Sequence, residues 1–128
     1  MSEVAQNPNE LVPLPAAQHH ILLALADGEK HGYAVMREVA RMTNGEMTMG
    51  PGTLYGTIKR MLGTGLIEET DERPDPELDD ERRRYYRATG FGMQVLDAET
   101  ARLHRLVSTA QAKRSAGARR PGVIGATQ

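Results

Sequence analysis

Residues 50–67, GPGTLYGTIKRMLGTGLI, combine a helical pattern with an unusual number of glycines. Apolar side chains recur at Leu54, Ile58 and Met61, and Pro51 stands where the first turn of a helix tolerates proline. Glycine occupies five positions of this stretch, and inside a helix each glycine costs roughly 1 kcal/mol relative to alanine. A helix with so bare an outer face is suited to close approach by something large.

The rest of the chain supplies start and stop signals for four helices and two strands. Proline or threonine precedes helical runs, Asp-Gly and Asn-Gly end them, and alternating residues on either side of a polar tip indicate a hairpin. The predicted order is helix 16–26, helix 32–43, helix 51–64, strand 66–70, strand 82–89 and a helix capped by Thr89 that ends near Lys113. We therefore expect a mainly α fold with a small β-hairpin, namely a winged helix-turn-helix followed by a long C-terminal helix.

A length of 128 residues corresponds to one globular domain with irregular ends. The polar and proline-bearing start predicts a flexible arm, and the end, rich in Gly, Ala and Arg, predicts a disordered tail. The expected division is 1–14 flexible arm, 15–89 winged-helix DNA-binding domain, 90–114 C-terminal dimerisation helix and 115–128 disordered tail.

Charge is unevenly distributed along the chain. Nine of the 17 acidic residues lie between Glu68 and Glu81, which leaves 15 basic and 8 acidic residues elsewhere. A near-neutral total thus conceals a basic body and one acidic loop. The basic body favours a polyanionic partner, and the alternative is an ordinary solvated surface.

Several classes of function are disfavoured by what the sequence lacks. Without cysteine there is neither a disulfide scaffold nor a thiolate metal site, which suits the cytoplasm. The four histidines show no metal-binding spacing, no glycine-rich loop follows a strand, and the acidic loop is unsuited to paired acid–base catalysis. We expect no enzyme activity, no metal and no cofactor. With no apolar run long enough for a membrane span, we expect a cytoplasmic protein without a membrane partner.

The glycine-rich helix is the predicted DNA reader. With its apolar residues buried, Thr53, Gly56 and Arg60 face outward, and small residues let a helix enter the major groove of double-stranded DNA. Hydroxyl and cationic side chains can then bond base edges or phosphates. The alternative is a helix of mediocre propensity with a surface tyrosine. The candidate DNA-binding residues here are Pro51, Thr53, Tyr55, Gly56, Thr57, Lys59 and Arg60.

The predicted hairpin adds a second basic cluster, formed by Arg82, Arg83 and Arg84. If the hairpin flanks the reader helix, these side chains lie beside the duplex backbone. Their alternative role is a salt-bridge network with the neighbouring acidic residues. Strand alternation sends Tyr85 and Tyr86 to opposite faces, so that one is expected in the core and one exposed.

The last helix carries an apolar stripe at roughly heptad spacing, which is too long for so small a body to cover. A second copy of the chain is the expected cover. The stripe consists of Met93, Leu96, Leu103, Leu106, Val107 and Ala110.

HGYAV at 31–35, PGTLYGTIKRMLGTGLI at 51–67 and RRRYYRATGFG at 82–92 together resemble the PadR family of bacterial transcriptional regulators, in particular its smaller subgroup with one terminal helix. The resemblance implies a winged-helix DNA-binding domain and a homodimer. In that dimer the C-terminal helix packs on the partner's N-terminal helix, which adds Ile21, Leu22 and Leu25 to the expected interface. It further implies repression at an operator, relieved by a small molecule or a stress signal.

The chain departs from the family pattern at several positions, and two of these departures bear on function. The wing tip is longer and more acidic than expected, and the tryptophan on which some relatives stack aromatic drugs is absent, so that ligand chemistry does not carry over. An effector, if one exists, is expected near the junction of the first and last helices. The alternative function is a winged-helix protein-interaction module without specific DNA binding. The outward Thr, Gly and Lys side chains disfavour it, because protein interfaces prefer aromatic anchors.

Overall fold

The computed structural model describes residues 6–70 and 84–118, and within them it confirms the predicted winged helix-turn-helix with a long terminal helix. A single-turn 3-10 helix, Pro8–Leu11, precedes the first α-helix. In chain order the other elements are α1 (Ala16–Leu25), β1 (Lys30–His31), α2 (Gly32–Met42), α3 (Pro51–Gly63), β2 (Ile67–Thr70), β3 (Tyr85–Ala88) and α4 (Gly90–Ala118).

A residue in the left-handed conformation follows the C-terminus of both α2 and α3. Gly65, at φ +80°, follows α3, and the N–H groups of Gly65 and Leu66 donate to the carbonyls of Leu62 and Met61 at 3.3 and 3.0 Å. After α2 the same pattern has Asn44 at φ 54° in the left-handed position. Both ends are Schellman motifs, which satisfy the last carbonyls and turn the chain sharply.

The sheet has three antiparallel strands in the order β1-β3-β2, whereas a two-stranded hairpin was expected. The additional strand pairs Lys30 with Tyr86 and His31 with Tyr85. A strand of two residues is too short to show alternation, so the sequence pattern could not reveal it. Tyr86 is buried, as expected of one of the two tyrosines, but Tyr85 is only half-exposed because its ring meets that of His31 at 5.4 Å.

The core lies between α1, α2, α3, the sheet and the first half of α4. Its side chains come from the apolar positions that the sequence assigns to each element. The largest fully enclosed side chains are Ile21, Leu22, Val35, Val39, Leu54, Met61, Leu66, Ile67 and Val95.

The segment expected as a flexible arm folds onto the domain over its described part, residues 6–14. Asn7 caps the 3-10 helix by accepting the N–H of Asn9 at 2.9 Å, and this helix lies against α4. Leu14 is buried, and Leu11 and Val12 pack against the core. These three apolar residues therefore attach the segment to the domain, although its mostly polar composition predicted a flexible arm. Residues 1–5 lie outside the described part of the chain.

The terminal helix starts as predicted and ends later. Thr89 caps α4 by accepting the N–H of Gly92 at 2.9 Å. The helix continues to Ala118, so residues 115–118, expected in the disordered tail, are helical. Alanine is the strongest helix former, and Ala116 and Ala118 favour continuation of the helix past the predicted end near Lys113. The tail from residue 119 lies outside the described residues.

Candidate nucleic-acid interface

The third helix presents one buried and one exposed face, as predicted. Leu54, Ile58 and Met61 are buried in the core. The opposite face is open to solvent and contains small, hydroxyl-bearing and cationic side chains. Its exposed members are Pro51, Gly52, Thr53, Gly56, Lys59 and Arg60.

Thr57 is not part of this exposed face, which corrects its assignment as a DNA-contacting residue. Its side chain is buried, and its hydroxyl donates to the carbonyl of Thr53 at 2.7 Å. Position 57 follows Leu54 by three residues and precedes Met61 by four, so helical geometry places it on the buried stripe. A methyl group and an internally bonded hydroxyl satisfy that position.

Tyr55 was predicted to use its phenol on DNA, yet its ring lies in the contact between α2 and α3. The ring packs directly against the α-carbon of Gly32, where any side chain would collide with it. Tyr55 is half-buried. It therefore sets the approach of the two helices of the helix-turn-helix.

A groove of about 380 Å³ separates α3 from the sheet. It joins the exposed face of α3 to the base of the wing, with apolar residues below and cations at its sides. The lining residues are Tyr55, Ile58, Lys59, Leu62, Arg84 and Tyr86.

The wing arginines are only partly described. Arg82 and Arg83 lie outside the described residues. Arg84 is exposed, and its Nε lies 3.5 Å from Oε2 of Glu69 on the neighbouring strand, while Arg87 pairs with Glu68 at 2.7 Å. The salt-bridge alternative thus holds for Arg84, which directly precedes β3, and for Arg87 on β3, although their partners Glu69 and Glu68 lie on β2. Exposed pairs of this kind contribute at most about 1 kcal/mol, so a phosphate can displace the carboxylate.

Cations on α2 and α3, and on the short strand β1 before α2, differ in their partners. Lys30 pairs with Asp27 at 2.7 Å and Arg41 with Glu38 at 2.6 Å, and each pairing lowers the pKa of the carboxyl group through the hydrogen bond from its cation. Lys59 and Arg60 form no salt bridge with any described residue. Among residues 6–70 and 84–118, the exposed face of α3 is therefore a surface of positive charge without a paired carboxylate.

Four of the nine residues expected in a dimer interface belong to the core of their own chain. Ile21, Leu22, Leu25 and Leu96 are at most 5% exposed, so a partner cannot reach them. The amphipathic pattern of a short helix does not tell whether its apolar face meets its own chain or another. Met93 is also half-buried against the core.

The outer half of α4, residues 103–118, is mostly exposed to solvent. Leu106 and Val107 are 53% and 52% exposed, Ala110 is exposed, and Leu103 is half-buried. On α1 the exposed large apolar residue is Leu23 at 37%, which was not among the residues expected in the interface. Leu23 lies between the buried residues Leu22 and Ala24, so its exposure is evident only from the structure.

His31 has a structural role that was not predicted from the sequence. Its Nδ1 accepts the N–H of Ala34 at 3.1 Å and so caps α2. Burial, reinforced by Arg37, lowers the pKa of His31 below its ordinary value of 6.5. The neutral ring is the form that can accept this hydrogen bond.

No cluster of His, Asp or Glu that could hold a metal ion occurs within residues 6–70 and 84–118. In the same two ranges no helix has the length and apolar character needed to cross a membrane.

The family model described as Transcriptional regulator PadR-like family matches residues 21–98. The chain is 36% identical over 91 residues to the transcriptional regulator Rv3488 of Mycobacterium tuberculosis, which covers 71% of this chain and 78% of that protein. It is 32% identical over 90 residues to a 37.1 kDa protein in transposon TN4556 of Streptomyces fradiae. That match covers 70% of this chain, which spans only about a quarter (24%) of the Streptomyces protein.

Among solved structures, a PadR family transcription regulator from Clostridium difficile R20291 superposes with a TM-score of 0.61 at 21% identity. The superposition covers 77% of this chain and 97% of that one, and it shows that the fold is shared. The family consists of transcriptional regulators, which confirms that the chain is not an enzyme. With the winged helix and the basic face of α3 in place, the match over residues 21–98 shows that the chain belongs to the PadR-like family of DNA-binding transcriptional regulators.

Proposed function

We propose that the chain is a homodimeric repressor that inserts α3 into the major groove of a near-palindromic operator. Thr53, Gly56 and Arg60 face the base edges, and the wing arginines hold flanking phosphates. A small molecule or a stress signal releases the repressor. The observation that carries the proposal is the exposed face of α3, which is both rich in glycine and free of carboxylates.

The glycines of α3 are not required by the fold. A Cβ added at Gly52, Gly56 or Gly63 meets nothing within 4 Å, and none of the three has a positive φ. The helix therefore gives up about 1 kcal/mol per glycine without gaining any internal contact. Close approach of a large ligand explains the loss, and a groove about 12 Å wide leaves little room for side chains at the centre of an inserted helix.

The proposed dimer uses the outer half of α4. Leu106 and Val107 are half-exposed large apolar residues on consecutive positions of a helix whose other half is buried. A second copy, related by a two-fold axis, covers them with the same surface and places two α3 helices on one side of the assembly. The half-sites of the operator then lie one helical turn apart, about 34–36 Å.

The proposed release follows from this geometry. Two reader helices at a fixed spacing lose the operator when the angle between subunits changes, so a ligand that prefers another angle shifts the population. The junction of α1 and α4 is the proposed place for it. A panel of metabolites and drugs in an operator-binding assay tests this part, and unchanged affinity across the panel would remove it.

The experiment for the reader helix is Gly56→Leu. The added side chain enters open space, so the free energy of unfolding should stay the same or rise. DNA binding should fall by roughly a hundredfold or more, because the side chain occupies the approach path. Fluorescence anisotropy on duplexes selected by the wild type measures the loss, and Gly63→Leu, at the far end of α3, is the matched control. Full binding by Gly56→Leu would contradict insertion of this face and favour the protein-interaction module.

A further inference from the structure

A tyrosine and an arginine stand together on the exposed side of α2. Tyr33 is 50% exposed, and the guanidinium carbon of Arg37 lies 5.0 Å from the centre of its ring. Residues four apart are neighbours on a helix, and this distance is that of a cation–π contact. The ring thereby holds the guanidinium in one place while both side chains stay open to solvent.

Arg37 differs from the other cations around it. Lys30 and Arg41, before and after it on the chain, are each paired with a carboxylate. Arg37 makes no salt bridge, and Tyr33 makes no hydrogen bond through its hydroxyl, in the part of the chain that the structure describes. An oriented cation beside an open hydroxyl is complementary to an anion with several acceptor oxygens.

The position of this pair is fixed next to α3. Gly32, which precedes Tyr33, is the residue against which the ring of Tyr55 packs. His31 caps α2 and its ring meets that of Tyr85 on β3. The first turn of α2 is therefore held between the reader helix and the sheet, at the edge of the proposed DNA surface.

We propose that Tyr33 and Arg37 form a phosphate-binding site for the backbone of the same duplex whose major groove receives α3. The Tyr33 hydroxyl and the Arg37 guanidinium each donate to a phosphate oxygen. In helix-turn-helix proteins the first helix of the motif crosses the backbone beside the groove, and tyrosine and arginine both bond phosphates. This inference rests on the proposed function, since it needs α3 in the groove.

The test compares Arg37→Ala and Tyr33→Phe with Arg41→Ala, which removes a cation one turn further along the same helix. Anisotropy titrations over a salt series use the wild-type-selected duplex and a scrambled duplex. Arg37→Ala should weaken both duplexes about tenfold and reduce the slope of log affinity against log salt by about one. Tyr33→Phe keeps the ring and should weaken both about threefold, while Arg41→Ala should match the wild type.

Each possible result of these titrations either supports the Tyr33–Arg37 phosphate site or overturns it. Unchanged melting temperatures, expected because both side chains are exposed, would exclude misfolding as the cause. If the wild type discriminates between duplexes and Arg37→Ala keeps its affinity and slope, the phosphate site is wrong and the proposed function stands. Loss of base preference in Arg37→Ala would also overturn the site, because it would make Arg37 a base reader. A wild type that binds no duplex overturns both proposals.

Discussion

The α-carbon of Gly92, in the first turn of α4, packs directly against the backbone carbonyl of Leu66, which links α3 to β2. Thr89 reinforces this contact, since its N–H donates to the carbonyl of Leu66 at 3.1 Å and its hydroxyl donates to the carbonyl of Gly65 at 2.5 Å. The start of the terminal helix is thus fixed to the end of the reader helix.

Gly92→Ala should destabilise the fold by about 1–3 kcal/mol, because the new methyl group collides with a backbone carbonyl that cannot rotate away. Gly90→Ala is the matched control, since a Cβ there meets nothing within 4 Å and alanine favours the helix. Urea denaturation of both variants measures the difference. Equal stability of the two would show that α4 and Leu66 are not in close contact.

Leu106→Asp should convert the dimer into a monomer and abolish operator binding. Burying an uncompensated carboxylate between two subunits costs several kcal/mol, whereas the side chain is 53% exposed in the single chain and its loss leaves the fold intact. Ala112→Asp, on the opposite side of the helix, should remain dimeric. Light scattering at micromolar concentration gives the mass of each, and a monomeric wild type would rule out the dimer.

Arg60 and Arg84 should affect DNA binding in different ways. Arg60→Ala should cost about 1–3 kcal/mol on the selected duplex and relax the preference at one base pair, because arginine on the exposed face of α3 can bond guanine through two hydrogen bonds. Arg84→Ala should weaken all duplexes alike and lower the salt slope by about one. Arg83→Ala should have the same effect as Arg84→Ala. Neutralising Asp79, Asp80 and Glu81 should strengthen nonspecific binding, because these carboxylates oppose the binding of phosphates.

Competition titrations of selected against scrambled duplexes separate the two effects. If Arg60→Ala retains base preference while Arg84→Ala loses it, the roles of helix and wing are reversed.

Acidification should weaken the fold between about pH 7 and pH 5. Burial lowers the pKa of His31 and of His19 below the ordinary value of 6.5. Over this interval the unfolded chain therefore binds more protons than the folded chain, and the free energy of unfolding decreases as the pH decreases. His31→Asn retains an N-cap without a titrating ring, and its stability should depend less on pH. Thermal unfolding at pH 7, 6 and 5 measures this, and the same pH dependence in the variant and the wild type would contradict it.

A later loss of stability belongs to Glu99. The hydrogen bonds from Arg102 lower its pKa below its ordinary value of 4.5, so its contribution is present above that pH and disappears as the pH falls further. The two intervals can therefore be told apart in one titration.

Local signals were sufficient to predict the four α-helices, the strands β2 and β3, and the order in which these elements follow one another. Gly65 and Thr89 act locally, through left-handed geometry and a hydroxyl on the first turn, so their neighbours in sequence reveal them. What failed depended on partners distant in sequence. The pairing of β1 with β3 and the docking of Leu14 beside Glu99 arise only when the chain has folded.

In the candidate site, too, features set by local sequence could be predicted and features set by tertiary contacts could not. The exposure of Lys59 and Arg60 could be predicted because the apolar stripe of α3 is evident in the sequence. The inward position of Thr57 could not, because a hydroxyl-bearing residue on this helix also suits DNA contact. Ile21 and Leu22 were expected in a dimer interface and lie in the core, because an apolar helix face does not specify which surface it meets.

Selection of bound duplexes from a random-sequence library tests the central claim most directly. A two-fold dimer that inserts two α3 helices should enrich an inverted repeat whose half-site centres lie about 10–10.5 base pairs apart, and bind it at least about a thousandfold more tightly than random duplex. Enrichment of no sequence, or equal affinity for selected and random duplexes at physiological salt, would contradict the account.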